Sequence, residues 1–143
     1  MFKNILVPLD LQNRPTAEKA LRLLSNYVDN PDARINIMTV LPGLHIPLLS
    51  SHLPADAIQN AMAALRSELT ELLAEQAPEL ENCRVHVAEG VAHKEIIKAA
   101  NQFESDLIIM PSHNHNRVEN ILIGSVTSRV VEKAKCSVLV VRL

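Results

Sequence analysis

Residues 106–110 read Asp-Leu-Ile-Ile-Met, and residues 137–142 read Ser-Val-Leu-Val-Val-Arg. Both runs are apolar without alternation and too short to be buried helices. Runs of this kind suit strands covered on both faces, as in a parallel sheet. A third run, Ile5, Leu6 and Val7, lies within residues 2–9 near the start of the chain.

Between these runs the period changes. Ala17, Ala20, Leu21, Leu24 and Val28 recur at helical spacing, with Pro15 in the first turn and Asn30-Pro31 as the stop. Ile35, Ile37 and Val40 predict a second strand. Residues 41–53, with Pro42, Gly43 and Pro47, form a long, mostly apolar connection expected to pack or to act as a flap. Residues 54–76 carry the strongest helical stripe: Ile58, Ala61, Met62, Leu65, Leu69, Leu72 and Leu73 share one face. Arg66, Glu68, Glu71 and Glu75 lie elsewhere, as a solvated face. Val85 and Val87 alternate with Arg84 and His86, which predicts a strand near the sheet edge, ended by Glu89-Gly90. Residues 94–103 read as a helix with Ile96, Ile97, Ala100 and Phe103 inward. A last helix opens at Gly124-Ser125 and runs to about Lys133. Strict alternation of strand and helix predicts an α/β fold, an open parallel sheet with helices on both faces and right-handed crossovers. The length of 143 residues fits one domain over residues 1–143.

The composition narrows the function. With two Phe, one Tyr and no Trp, the core must be aliphatic, and stacking platforms for single-stranded nucleic acid are missing. A net charge of −2 gives no reason to expect nucleic acid as a partner. The first apolar run, bracketed by Lys3 and Asp10, is too short for a signal segment or a membrane span, so a cytoplasmic location is expected. Cys83 and Cys136 lie far apart without metal or redox spacing and are expected as reduced thiols.

In open parallel sheets ligands bind beyond the carboxyl ends of the strands, where the strand order reverses. Two loops qualify: one after the first strand, holding Asp10, and residues 111–125, reading PSHNHNRVENILIGS. At Gly124-Ser125 a glycine admits close backbone approach, and the N–H groups of a helix start attract anions. Ser125 could equally be a simple N-cap, with Gly124 easing the entry. Asp10 could bind a ribose hydroxyl or a phosphate-bound metal, or accept backbone N–H bonds in the turn before the first helix. Ser112, His113, Asn114, His115 and Asn116 are rich in donors. The two histidines lack the further ligands of a structural zinc site, and Ser112-His113 has neither a nucleophile elbow nor an orienting acid. His45, His52, His86 and His93 are scattered and read as loop or surface residues. Neither the P-loop nor the dinucleotide glycine pattern is present, and no catalytic or metal-ligating residue is nominated.

Taken together, KNILVPLD, Glu89-Gly90, DLIIM, GSVTSRVV and CSVLVVR resemble the universal stress protein family, in order and from Phe2 to Arg142. The resemblance implies a five-stranded, Rossmann-like sheet of order 3-2-1-4-5 and a homodimer paired through the last strand. ATP-binding members carry a loop of Gly, two residues, Gly, nine residues, then Gly-Ser or Gly-Thr. Here Pro111 and Asn114 occupy the first two glycine positions, and Gly124-Ser125 keeps the third. By position, the resemblance places Pro8 and Asp10 at the nucleotide, with Asp10 on the ribose. It puts the backbone around Val40 at the adenine, Met110 in the base pocket, and Gly124, Ser125 and Val126 at the phosphates. Pro111 cannot replace a glycine's N–H or its φ freedom. Asn114 is the milder departure. His113, His115 or Arg117 could replace the lost phosphate contacts.

Three functions follow. The first is an ATP-binding stress-response protein, with or without magnesium, whose contacts with unknown protein partners depend on nucleotide. Any hydrolysis would be slow, for want of a general base or an acidic metal cluster. The second is a nucleotide-free protein-interaction module of the same fold. The third, an enzyme of the wider nucleotide-binding α/β group, lacks a first-loop signature.

Overall fold

The computed structural model describes residues 2–43, 54, 56–112 and 124–143. Among these, five parallel strands form one sheet: β1 (Asn4–Pro8), β2 (Arg34–Pro42), β3 (Cys83–Gly90), β4 (Leu107–Ser112) and β5 (Ser137–Arg142). Their spatial order is β3-β2-β1-β4-β5, as the resemblance implied. A 3-10 turn, Leu11–Asn13, leads into α1 (Arg14–Leu24), followed by α2 (Ala57–Gln76), α3 (Ala92–Gln102) and α4 (Ser125–Lys133).

The pleat sends alternate side chains to two separate cores. Ile5, Val7, Ile35, Ile37, Leu107 and Ile109 meet Ala17, Leu21 and Leu24 of α1 and Leu69 and Leu72 of α2 on one face. Leu6, Met38, Ile108 and Met110 meet Ile96, Ala99 and Ala100 of α3 and Val130 of α4 on the other. Both cores are aliphatic, with Phe103 at the margin of the second.

Several boundaries differ from expectation. α1 stops at Leu24, well before Asn30-Pro31; Val28 nevertheless folds back, donating its N–H to the Leu24 carbonyl at 3.2 Å, and packs on the core. Along α2, Leu69 and Leu72 are fully buried, while Ile58, Ala61, Met62 and Leu65 are half-buried. The links to α1 fall on the later turns. Arg22 Nη1 donates to Gln76 Oε1 at 2.6 Å, and Arg14 lies within 4.0 Å of Glu68 and Glu75. The charged face of α2 is solvated as expected, with Glu68 and Glu75 side chains 39% and 59% exposed, and exposed Arg66 also donates its Nη1 to the Val85 carbonyl at 2.9 Å.

α3 ends in a Schellman arrangement: Ser105 N–H bonds the Ala100 carbonyl at 2.8 Å and Glu104 N–H the Asn101 carbonyl at 3.3 Å. Glu104, with φ 51°, occupies the left-handed position usually given to glycine. Directly after it, Asp106 ties β4 to β1. One carboxylate oxygen accepts from Lys3 N at 2.8 Å and the other from Asn4 N at 3.0 Å. Asp106→Ala strands both donors at the central strand, and we expect it to lower the unfolding free energy by about 1–3 kcal/mol, read from urea denaturation.

Cys83 in β3 and Cys136 beside β5 sit at opposite edges of the sheet, and both thiols are free. Burial pushes the Cys83 thiol up to about 11 and raises that of Cys136. No helix among the described residues is long and apolar enough to cross a membrane.

Candidate functional site

The ladder between the two central strands is short. β1 and β4 pair only at Ile5 with Leu107 and Leu6 with Ile108. Beyond Leu6, β1 stays with β2 through Pro8 opposite Met38, and Leu9 N–H donates to the Met38 carbonyl at 2.8 Å. Beyond Ile108, β4 follows β5 as far as Ser112 opposite Arg142. The strands part where the strand order reverses, the place where open parallel sheets of this kind hold ligands in a crevice at the carboxyl ends.

The pleat decides which residues border it. Leu6, Met38 and Met110 face the α3 and α4 side. Pro8, Val40 and Ser112, two residues further along their strands, face the same way. Pro8, Val40 and Met110 thus share one face of the sheet toward its carboxyl ends, and Asp10 follows two residues after Pro8, at the start of the 3-10 turn. Ser112 joins them, buried at 8% exposure; it was legible as a donor, and strand alternation from Met110 would have assigned its face.

Pro111 departs from expectation. It is the fifth of six residues of β4, paired with Val141, rather than the first residue of a loop. Alternation turns its ring to the opposite face from Met110. The ladder with β1 has already ended at Ile108, the kind of place where a strand tolerates proline.

Asp10 takes the turn role. It caps the 3-10 turn, with Oδ1 accepting from Gln12 N at 2.9 Å and its carbonyl accepting from Asn13 N at 3.1 Å. Its second carboxylate oxygen has no hydrogen bond within the described residues, and the side chain is exposed.

At the start of α4, Gly124 is the residue that caps the helix, with φ −63° and ψ 158°, and Ser125 is the first helical residue. The N-cap reading of Ser125 is therefore overturned: the cap falls one position earlier, on a residue with no side chain to accept the helix's first N–H groups. Gly124 has an ordinary backbone conformation, and among the described residues a Cβ there would meet nothing within 4 Å. Gly124, Ser125 and Val126 are all exposed, while Thr127 is buried behind them. Asn114, with His113, His115, Asn116 and Arg117, lies outside the described residues, as do His45 and His52 and the expected flap from residue 44 onward.

Two histidines that read as scattered are held by the fold. His86 Nε2 lies 2.9 Å from Asn36 Oδ1, and its ring packs against Phe103 with centroids 4.3 Å apart and a tilt of 34°. His93 is buried near the start of α3. Burial, with Arg66 and Arg84, holds His86 below the ordinary imidazole range. Burial, with Arg129, Lys133 and Lys94, does the same for His93. Above the ordinary value of about 6.5 both histidines are neutral in folded and unfolded chains. As the pH falls through it, the unfolded chain takes up protons first, so stability declines from there down to the depressed folded values. Chemical denaturation between neutral and mildly acid pH, with NMR titration of the two rings, is expected to show both effects.

The sequence pattern of the universal stress protein family matches residues 1–142. The chain belongs to the universal stress protein family. Among curated relatives, it is 31% identical over 157 residues to universal stress protein MJ0577 of Methanocaldococcus jannaschii, covering 99% of this chain and 96% of that protein. The solved structure of MJ0577 superposes with a TM-score of 0.78 at 27% identity, covering 100% of this universal stress protein and 97% of that chain. Two more distant structures share the fold. One is a universal stress protein in complex with cAMP, with a TM-score of 0.65, 17% identity and coverage of 99% and 97%. The other is the Archaeoglobus fulgidus protein in complex with dAMP, with a TM-score of 0.62, 16% identity and 96% coverage of each chain.

Proposed function

We propose that this universal stress protein binds an adenine nucleotide, ATP, in the crevice between the carboxyl ends of β1 and β4. Two observations support the reading: β1 and β4 stop pairing after Leu6 and Ile108, and the exposed start of α4 at Gly124-Ser125 has no side-chain cap. Phosphates would lie on the N–H groups of Ser125 and Val126 and on the Ser125 hydroxyl, where the helix dipole favours negative charge. Asp10 would offer its free oxygen to the ribose, and Val40, Pro8 and Met110 would border the base. The cAMP- and dAMP-bound proteins of the same fold support an adenine nucleotide as the ligand class. Magnesium, if carried, would arrive on the phosphates; no group of three His, Cys, Asp or Glu suited to a metal occurs among the described residues.

The same reading makes the protein a cytoplasmic homodimer. β5 is an edge strand, and Val131 of α4 is 46% exposed. Pairing two β5 strands would satisfy that edge. The nucleotide would then act by setting which protein partners the dimer meets. Pro111 favours the alternative of a nucleotide-free interaction module, because it supplies no N–H where a glycine would.

Native mass spectrometry of freshly purified protein, followed by thermal unfolding with Mg-ATP, tests both. The expected result is a dimer mass with co-purified nucleotide, or a raised melting temperature. A ligand at a hundred times its dissociation constant adds about 2.7 kcal/mol. A monomer unmoved by ATP, ADP, cAMP or dAMP contradicts the reading.

A further inference from the structure

A second cleft, of about 480 Å³, lies at the amino ends of the strands, at the opposite end of the sheet from the crevice. Arg34, Asn36, Arg84, Glu81, Phe103 and Glu104 are among the residues that line it. It exists because α3 stops at Gln102 and leaves the first residues of β2 and β3 uncovered on that face. Arg34 and Asn36 lie two apart on β2, and Asn36 pairs with Arg84 on β3, so the three side chains share one face.

The groups here are unspent. Arg34, Arg84, Glu81 and Glu104 form no side-chain ion pair or hydrogen bond among the described residues. Asn36 is only 7% exposed and its Oδ1 is engaged by His86, while its amide nitrogen has no hydrogen bond among the described residues. Asn36 lines the cleft and is not among the buried groups left without a partner, so this donor is open to solvent there and available to an acceptor. His86 packed against Phe103 holds that ring as a fixed wall. Glu104 sits in a left-handed conformation that glycine would adopt without strain, so a carboxylate is kept at the cleft at a conformational cost.

A plain anion would satisfy the two guanidinium groups but meet both glutamates. A plain amine would do the reverse. We propose that this cleft binds a small zwitterion of the α-amino acid class. Its carboxylate lies on Arg34, Arg84 and the Asn36 amide, and its ammonium faces Glu81 and Glu104. The volume is ample for such a molecule with its side chain against Phe103. The inference is independent of the nucleotide reading, which concerns the other end of the strands.

The test is amide-resolved NMR titration of the full chain with a mixture of free α-amino acids, then separately with acetate and with methylamine. The expected result is saturable shifts at Asn36, Arg84, Phe103 and Glu104, with Gly124 to Thr127 unmoved. Because both arginines are exposed, the Arg34→Ala/Arg84→Ala variant should stay folded and bind at least about tenfold more weakly. Glu104→Gln should weaken amino-acid binding but not acetate binding. The proposal is overturned if no amino acid shifts these amides, if acetate alone binds as well, or if the double variant binds undiminished.

Discussion

Leu6→Ala is expected to remove about 3–5 kcal/mol of stability, a large share of the roughly 5–15 kcal/mol that holds a domain together. Leu6 is fully buried at the centre of the sheet and packs on the α3 and α4 side with Ile96, Ile108 and Val130. It is also the last residue of β1 paired to β4. Strands on both sides pin its backbone, so the cavity left by truncation cannot close by a simple backbone shift. Met38 and Met110, flexible and adjacent, can fill part of it, which sets the lower end of the range. Thermal unfolding should show a loss of about 10 °C or more. Lys98→Ala, on the exposed face of α3, is the control and should stay within about 0.5 kcal/mol of wild type.

Ser125→Asp is expected to separate stability from binding. Ser125 is the first residue of α4, and a carboxylate there faces the positive end of the helix dipole. The helix should gain about 0.3–1 kcal/mol. The same carboxylate would occupy the place proposed for the phosphates. Two like charges at about 4 Å repel by roughly 4 kcal/mol at an effective dielectric of 20, and salt screening lowers this. We expect ATP affinity to fall at least about a hundredfold, or about 2.7 kcal/mol. Ser125→Ala, which removes only one donor, should cost about 1–1.5 kcal/mol. Isothermal titration on both variants reads the difference. Equal affinity in wild type and Ser125→Asp would mean that phosphates do not lie at this helix start.

The parts of the fold that could be read in advance are those written locally. Ile5 to Val7, DLIIM and SVLVVR are apolar without alternation because both faces of the sheet are covered, and each became a strand. The alternation of Arg84 to Val87 marked an edge strand correctly. What escaped was written across the chain. The contact of His86 with Asn36 joins residues fifty apart and depends on the β2–β3 register. No local pattern around either residue announces it. The left-handed position that closes α3 carries neither glycine nor asparagine, because Glu104 holds it itself. At the site, Asp10 and Ser125 each had two readings that differ by one hydrogen bond or one residue of helix, finer than periodicity resolves. The structure gives Asp10 its turn role with one oxygen spare, and moves the cap from Ser125 to Gly124. Pro111 read as a loop residue because proline usually ends a strand. It stays in β4 because β1 has already turned away.

The account stands on the crevice between β1 and β4. Amide-resolved NMR titration of the full chain with Mg-ATP tests it most directly. The account predicts saturable shifts at Asp10, Val40, Met110 and Gly124 to Thr127, with Asn36 and Arg84 at the far end of the sheet unchanged. Shifts confined to other residues, or none at saturating nucleotide, would contradict it.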